Sequence, residues 1–181
     1  TILRKEYCRG SPLMMRAVRT GEDREKADEY SREFVGKNMD QARELGAKRL
    51  VHLCVWCAYI GRRFYPDSDI EHVYALDILL PKLKEKKLSM PEETIAYYSG
   101  GQHRSWAYAP DRDFEFDWDS YRRALDDIEG LTVVDVPKYC CAITTDPIFN
   151  WARKRGANTV VTQCMPCYGS TMRRAPADMR V

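Results

Sequence analysis

Apolar positions between residues 24 and 45 recur in helical steps: Ala27, Tyr30, Phe34, Ala42 and Leu45 are spaced by threes, fours or their multiples, and Gly46 follows as a stop. Two short β-prone runs, Arg49-Leu50-Val51-His52-Leu53 and Thr159-Val160-Val161-Thr162-Gln163, read as strands. Each runs directly into a Cys-x-x-Cys, Cys54 with Cys57 and Cys164 with Cys167. Further along, the pattern predicts a helix over 71–87, a strand over 93–98, a helix over 117–129 capped by Asp117, and a strand over 131–136. Helices alternating with strands predict the α/β class, with parallel strands, crossover helices and ligands gathered beyond the strand carboxyl ends. Both Cys-x-x-Cys pairs fall at that edge. The aperiodic stretch 99–116, rich in Gly and aromatics, reads as a long loop leaving the same edge.

The chain also echoes itself. Residues 42–57, ARELGAKRLVHLCVWC, align without a gap to 152–167, ARKRGANTVVTQCMPC, at an offset of 110. A second echo sets Glu6-Tyr7-Cys8-Arg9-Gly10 against Lys138-Tyr139-Cys140-Cys141-Ala142, at an offset of 132. Two copies are too few to stack as a solenoid, so the reading is an internal duplication. It gives two Rossmann-like parallel-sheet units, an incomplete one over 1–69 and a second over 70–181.

Composition narrows the function classes. With 181 residues, 31% charged and 44% hydrophobic, the chain can bury a core, and no apolar run approaches the roughly 20 residues of a membrane span. The 29 basic and 27 acidic side chains leave +2, interspersed, which makes no electrostatic case for nucleic acid or an anionic membrane. The opening TILRKEYCRG has neither an apolar core nor a small-residue cleavage site, so the expected compartment is the cytoplasm. Seven cysteines without an export signal point to thiolates kept reduced as metal ligands or redox groups.

Thiolates at a strand end converge on a metal while nearby backbone N–H groups can donate to sulfur. The adjacent Cys140-Cys141 pair suits a multi-metal cluster better than one tetrahedral ion, because neighbouring side chains diverge. With 22 residues between Cys141 and Cys164, the pattern Tyr139-Cys140-Cys141…Cys164-Met165-Pro166-Cys167-Tyr168 resembles the cysteine-rich CCG domain of the heterodisulfide reductase family. It is similar to the cysteine-rich subunits of anaerobic glycerol-3-phosphate dehydrogenase and to lactate-utilisation proteins. In the first unit Cys8-Arg9-Gly10-Ser11-Pro12-Leu13 resembles the family's Cys-Cys-Gly-Ser-Pro-Leu, and the stretch 46–59 resembles its Gly-Ala…Cys-x-x-Cys segment.

The resemblance implies iron–sulfur binding, which in heterodisulfide reductase means two noncubane four-iron clusters that split a disulfide. Carried over residue by residue, Cys140, Cys141, Cys164 and Cys167 are the full ligand set, and one 4Fe–4S cluster is expected there. Cys8, Cys54 and Cys57 form a set one ligand short, because Arg9 stands where the family has its second cysteine. His103 is a candidate extra ligand, placed where the family carries a cysteine after the strand ending at Tyr98. Ala142 replaces the motif glycine, and the chain begins where the family would have an earlier strand and helix, so it reads as N-terminally truncated. The expectation is an iron–sulfur subunit of a cytoplasmic redox complex, in an anaerobe, acting in electron transfer to a disulfide or related substrate. Its partners would be subunits carrying flavin or ferredoxin-type clusters. A metal-free dithiol-disulfide oxidoreductase and a zinc-stabilised interaction subunit stay open as alternatives. Of the other singled-out residues, His52 is expected as a packed core histidine, His72 as a surface residue at a helix start, and Trp56, Trp106, Trp118 and Trp151 as core or interface anchors.

Overall fold

The computed structural model describes residues 2–7, 20, 23–100, 116–137, 141 and 144–181. Cys8, His103, Cys140, Arg9, Trp106 and Ala142 lie outside the described residues. The fold is α/β, and its described part holds six helices and five strands, all strand pairs parallel. It forms two compact units, Thr1–Ala75 and Leu76–Val181.

In the first unit α1 (Arg24–Glu44) leads through a tight turn to β1 (Arg49–His52), α2 (Val55–Phe64) and β2 (Glu71–Tyr74). Asp23 caps α1 by accepting from the Lys26 amide at 3.1 Å, with Glu25 in the first turn and Arg43 in the last, both favourable to the helix dipole. The buried stripe of α1 is Ala27, Ser31, Val35, Asn38, Met39 and Ala42. It lies to one side of the stripe expected from apolar spacing, and Tyr30 and Leu45 are exposed. Its polar member Asn38 explains the shift. The Asn38 amide accepts from the Tyr7 N–H at 3.1 Å and donates to the Tyr7 carbonyl at 3.0 Å, while Gln41 does the same for Lys5 at 3.1 and 2.7 Å. Two side chains thus satisfy main-chain groups of Lys5 and Tyr7 along the helix, which rewards a polar residue inside the apolar face.

In the second unit α3 (Ala75–Lys84) precedes β3 (Ser89–Tyr98), then come α4 (Trp118–Asp126), β4 (Glu129–Asp135), α5 (Asp146–Lys154), β5 (Thr159–Thr162) and α6 (Met165–Met172). The sheet order is β4-β3-β5, so β3 is central. Its last four residues, Ile95 to Tyr98, are all buried, as a strand covered on both faces requires. Asp117 caps α4 through the Ser120 amide at 3.0 Å, as its sequence position implied. From α5, Ile148 and Phe149 are fully buried, each worth about 1.5–3 kcal/mol as apolar burial.

The two echoed segments are built alike. Both preceding helices end in a left-handed glycine, Gly46 at φ 67° and Gly156 at φ 76°, which a side chain would strain. Around each, the same pair of bonds closes the helix: Ala47 N to Ala42 O and Gly46 N to Arg43 O at 2.9 Å, against Ala157 N to Ala152 O and Gly156 N to Arg153 O at 3.0 Å. Arg43 grips both oxygens of Asp69, and Arg153 grips both of Asp178. A parallel contact follows in each, with Glu71 N at the start of β2 donating to Lys48 O at 2.9 Å and Arg180 N, in an isolated bridge to Thr159, donating to Asn158 O at 2.8 Å.

One expected element is different. The stretch 71–87 is not one helix: Glu71–Tyr74 forms β2 and pairs with β1 in the register Arg49↔Glu71 to His52↔Tyr74. The β-favouring His-Val-Tyr run is captured by a neighbouring strand edge, which outweighs the helical period of the residues after it. His72 is therefore not at a surface helix start but inside a strand, 4% exposed.

Candidate functional site

The carboxyl ends of the strands carry the sulfur. Leaving β5 at Thr162, the chain passes Gln163 and reaches Cys164, the residue before α6, with extended backbone at φ −118° and ψ 117°. Cys54 does the same before α2, at φ −105° and ψ 120°. Extended backbone followed at once by helix places the first sulfur on the strand edge and the second one turn into the helix. Cys167 is held there by α6 itself, since Thr171 Oγ1 donates to its carbonyl at 2.8 Å.

In the second unit a third sulfur joins the pair. The Cys167 thiol is hydrogen-bonded to the thiols of both Cys141 and Cys164, so it links sulfurs from two distant segments. Their fractional exposures are 0% for Cys167, 1% for Cys141 and 2% for Cys164. Those two thiol contacts, with burial behind them, push the Cys167 thiol far up. All the described cysteines are reduced thiols, with no disulfide among them.

The surroundings of the trio are polar at the main chain. Cys141 N–H donates to Tyr98 Oη at 2.9 Å, across 43 residues of chain, and Arg174 Nη1 donates to the Cys141 carbonyl at 3.3 Å. Tyr98 ends β3 opposite Thr162 in the register, so the phenol rises from the central strand beside the strand that leads to Cys164. Burial first, then the neighbouring Cys167 and Cys141, raises the Tyr98 phenol. Its neighbour Tyr97 points to the other face, bonded by Gln163 and lying under the Arg122 guanidinium at 5.8 Å. Two hydroxyls on the cysteine-bearing segments, Thr145 Oγ1 and Thr162 Oγ1, are buried with no hydrogen-bond partner among the described residues.

Of the expected ligands, then, Cys141, Cys164 and Cys167 come together. Cys54 is buried and Cys57 half-buried, both at the β1 edge of the first unit, and their companion Cys8 lies outside the described residues, as do Cys140 and His103. Among the described residues no group of three or more His, Cys, Asp or Glu side chains is set out around one metal ion.

Near the first Cys-x-x-Cys the structure holds a feature the sequence reading missed. His52, the buried histidine expected in β1, meets His72 of β2, with Nε2 and Nδ1 3.0 Å apart and the rings stacked at 5.2 Å. Both histidines are 4% exposed, and Gly61 of α2 makes the room, since a Cβ there would fall 2.2 Å from His72 Nδ1. Tyr98 and Arg174 were likewise unforeseen. The tyrosine carried a signal, a polar aromatic ending a buried strand, but the arginine carried none.

No helix among the described residues is long and apolar enough to cross a membrane. No protein-family model, curated protein or solved structure matches the chain significantly.

Proposed function

We propose that the second unit holds an iron–sulfur cluster through Cys141, Cys164 and Cys167, with Cys140 beside them, and that the protein works as an electron-transferring subunit of a redox complex. The observation that supports this is the meeting of three buried sulfurs, drawn from two distant segments, at the carboxyl edge of a parallel sheet. The donor chemistry fits. Thiolate sulfur is what iron–sulfur clusters take, and the Thr145 and Thr162 hydroxyls, without partners among the described residues, are donors suited to anionic sulfur. Such a cluster supplies one-electron storage at a potential set by burial and hydrogen bonds.

Burial also argues against the metal-free alternative. Dithiol exchange needs an accessible thiol, and Cys164 and Cys167 are 2% and 0% exposed. In the first unit Cys8, Cys54 and Cys57 form an incomplete set, so the reading assigns one cluster, not a disulfide-cleaving pair. Electron donors would be flavin or ferredoxin-type subunits, and the substrate a disulfide or related group. The likeness in build of the two Cys-x-x-Cys segments supports related units.

The test is anaerobic reconstitution with iron and sulfide, followed by metal and sulfide analysis, visible absorption and electron paramagnetic resonance. We expect a brown protein with about four irons, whose charge-transfer band is lost in Cys164→Ser and Cys141→Ala and largely kept in Cys8→Ser. Zinc in place of iron, or equal loss in all three variants, would overturn the assignment.

A further inference from the structure

We propose that Tyr98 is a positioning residue of the sulfur site, fixing Cys141 by its main chain, with Arg174 as its counterpart on the other side of the residue. The inference rests on the reading of Cys141 as a cluster ligand and goes beyond it, to what holds that ligand in place.

Cys164 and Cys167 owe their places to regular structure, since one precedes α6 and the other lies within it. Cys141 has no such support, because it lies in a turn between β4 and α5. What ties it is external. Its N–H is taken by Tyr98 Oη at 2.9 Å and its carbonyl by Arg174 Nη1 at 3.3 Å, so both polar groups of the residue are held, from β3 and from the segment after α6. A phenol that accepts one hydrogen bond still has a proton to give, and the Tyr98 hydroxyl also contacts the Cys141 thiol. One hydroxyl thus touches the ligand at backbone and sulfur together.

Tyr98 is itself immobilised. It is 1% exposed at the end of the central strand, backbone-paired to β5 on one side, where its register partner is Thr162. Gly100 closes over the ring, and a Cβ at that position would meet Tyr98 Cζ at 2.3 Å and Oη at 2.5 Å. A donor aimed at a ligand sulfur stabilises the more negative, reduced state of a cluster, so its loss must lower the potential.

The experiment uses the full chain in two states. In the iron-free protein, iodoacetamide alkylation is followed at each cysteine by mass spectrometry, for wild type, Tyr98→Phe and Arg174→Gln. Phenylalanine keeps the ring and removes the hydroxyl, and the exposed Arg174 can be replaced without disturbing the core. We expect Cys141 to react about fivefold faster in Tyr98→Phe, the effect of one hydrogen bond, and about twofold faster in Arg174→Gln. Cys164 and Cys167 should change by less than about twofold. In the reconstituted protein, Tyr98→Phe should shift the midpoint potential to more negative values while iron content stays at the wild-type level.

Unchanged Cys141 reactivity in both variants overturns the proposal, and so does an equal rise at all three cysteines, which would mean general loosening. A wild-type chain that takes up no iron sinks the cluster reading alone, since the alkylation comparison still decides what Tyr98 does.

Discussion

Gly61 sits in the middle of α2, where alanine is ordinarily the better helix former by about 0.5–1 kcal/mol. The structure reverses that sign. A Cβ on Gly61 falls 2.2 Å from His72 Nδ1, 2.5 Å from Cγ and 2.7 Å from Cε1, all on one ring. Such atoms pack at roughly 3.5–4.0 Å, so the imidazole must retreat by about 1 Å or more. It is not free to do so cheaply, because Nδ1 meets His52 Nε2 at 3.0 Å and the His72 carbonyl accepts from Arg62 Nε at 2.8 Å. Overpacking costs about 1–3 kcal/mol, and breaking a buried hydrogen bond with a polar atom left behind costs about 1–3 more. After the helix gain is set against these, Gly61→Ala should destabilise the first unit by about 3 kcal/mol. Gly169→Ala is the control, also inside a helix, where the added Cβ meets only the mobile end of Arg173 at 3.4 Å. It should be neutral or stabilising by up to about 1 kcal/mol. Guanidinium denaturation with hydrogen exchange of peptides spanning 49–74 reads the first unit separately from the rest. If Gly61→Ala is as stable as the parent, His72 does not lie against α2 and the histidine pair is misplaced.

Asn38→Ala should strip the partners from both polar groups of Tyr7, raise amide exchange over residues 5–7, and cost about 1–3 kcal/mol, with Gln41→Ala, on the exposed side, costing less; equal exchange in Asn38→Ala and the parent would refute the clasp. Hydrogen bonding to Arg43 holds the Asp69 carboxyl below its ordinary 3.8, and Arg153 does the same for Asp178. A depressed carboxyl contributes stability that is present above the unfolded value and is lost as pH falls through the folded one. Asp69→Asn and Asp178→Asn should therefore be less stable than the parent at neutral pH, with the difference vanishing on acidification below 3.8 and shrinking in high salt. Stability curves against pH check this, and a gap that widens in acid would be inconsistent with either pair.

Local signals carried the sequence reading well where one element decides its own fate. Gly46 as a stop, Asp117 as a cap and the strands feeding each Cys-x-x-Cys all depend on neighbours within a few residues. The reading missed where a distant partner decides. Residues 71–74 form a strand because β1 offers an edge 22 residues earlier, and no periodicity within 71–87 records that edge. The α1 stripe is displaced for a like reason, since Asn38 is buried by what it binds. The likeness of the two segments, too, extends further than the cysteine alignment: Asp69-Ile70-Glu71 and Asp178-Met179-Arg180 play the same parts, an arginine partner, a buried apolar residue and a bond to the residue before the preceding strand. Only one identity in three positions survives there, too little to notice without the contacts.

On the reading proposed above, two Cys-x-x-Cys segments of the same build do not make two sites of the same chemistry. What separates them is the rest of the side chains delivered to the strand ends. At the repeat position where the second unit has Thr162, with a hydroxyl left for an acceptor, the first has His52, whose ring is committed to His72. The second unit adds Cys141 from a turn and a rigid phenol to hold it, so three sulfurs converge. In the first, α1 bonds the main chain of Lys5 and Tyr7 through Gln41 and Asn38, and in the sequence Arg9 stands where the second unit has Cys141. The helix, turn and strand common to both units carry one Cys-x-x-Cys pair each, and the proposed cluster would depend on residues outside them.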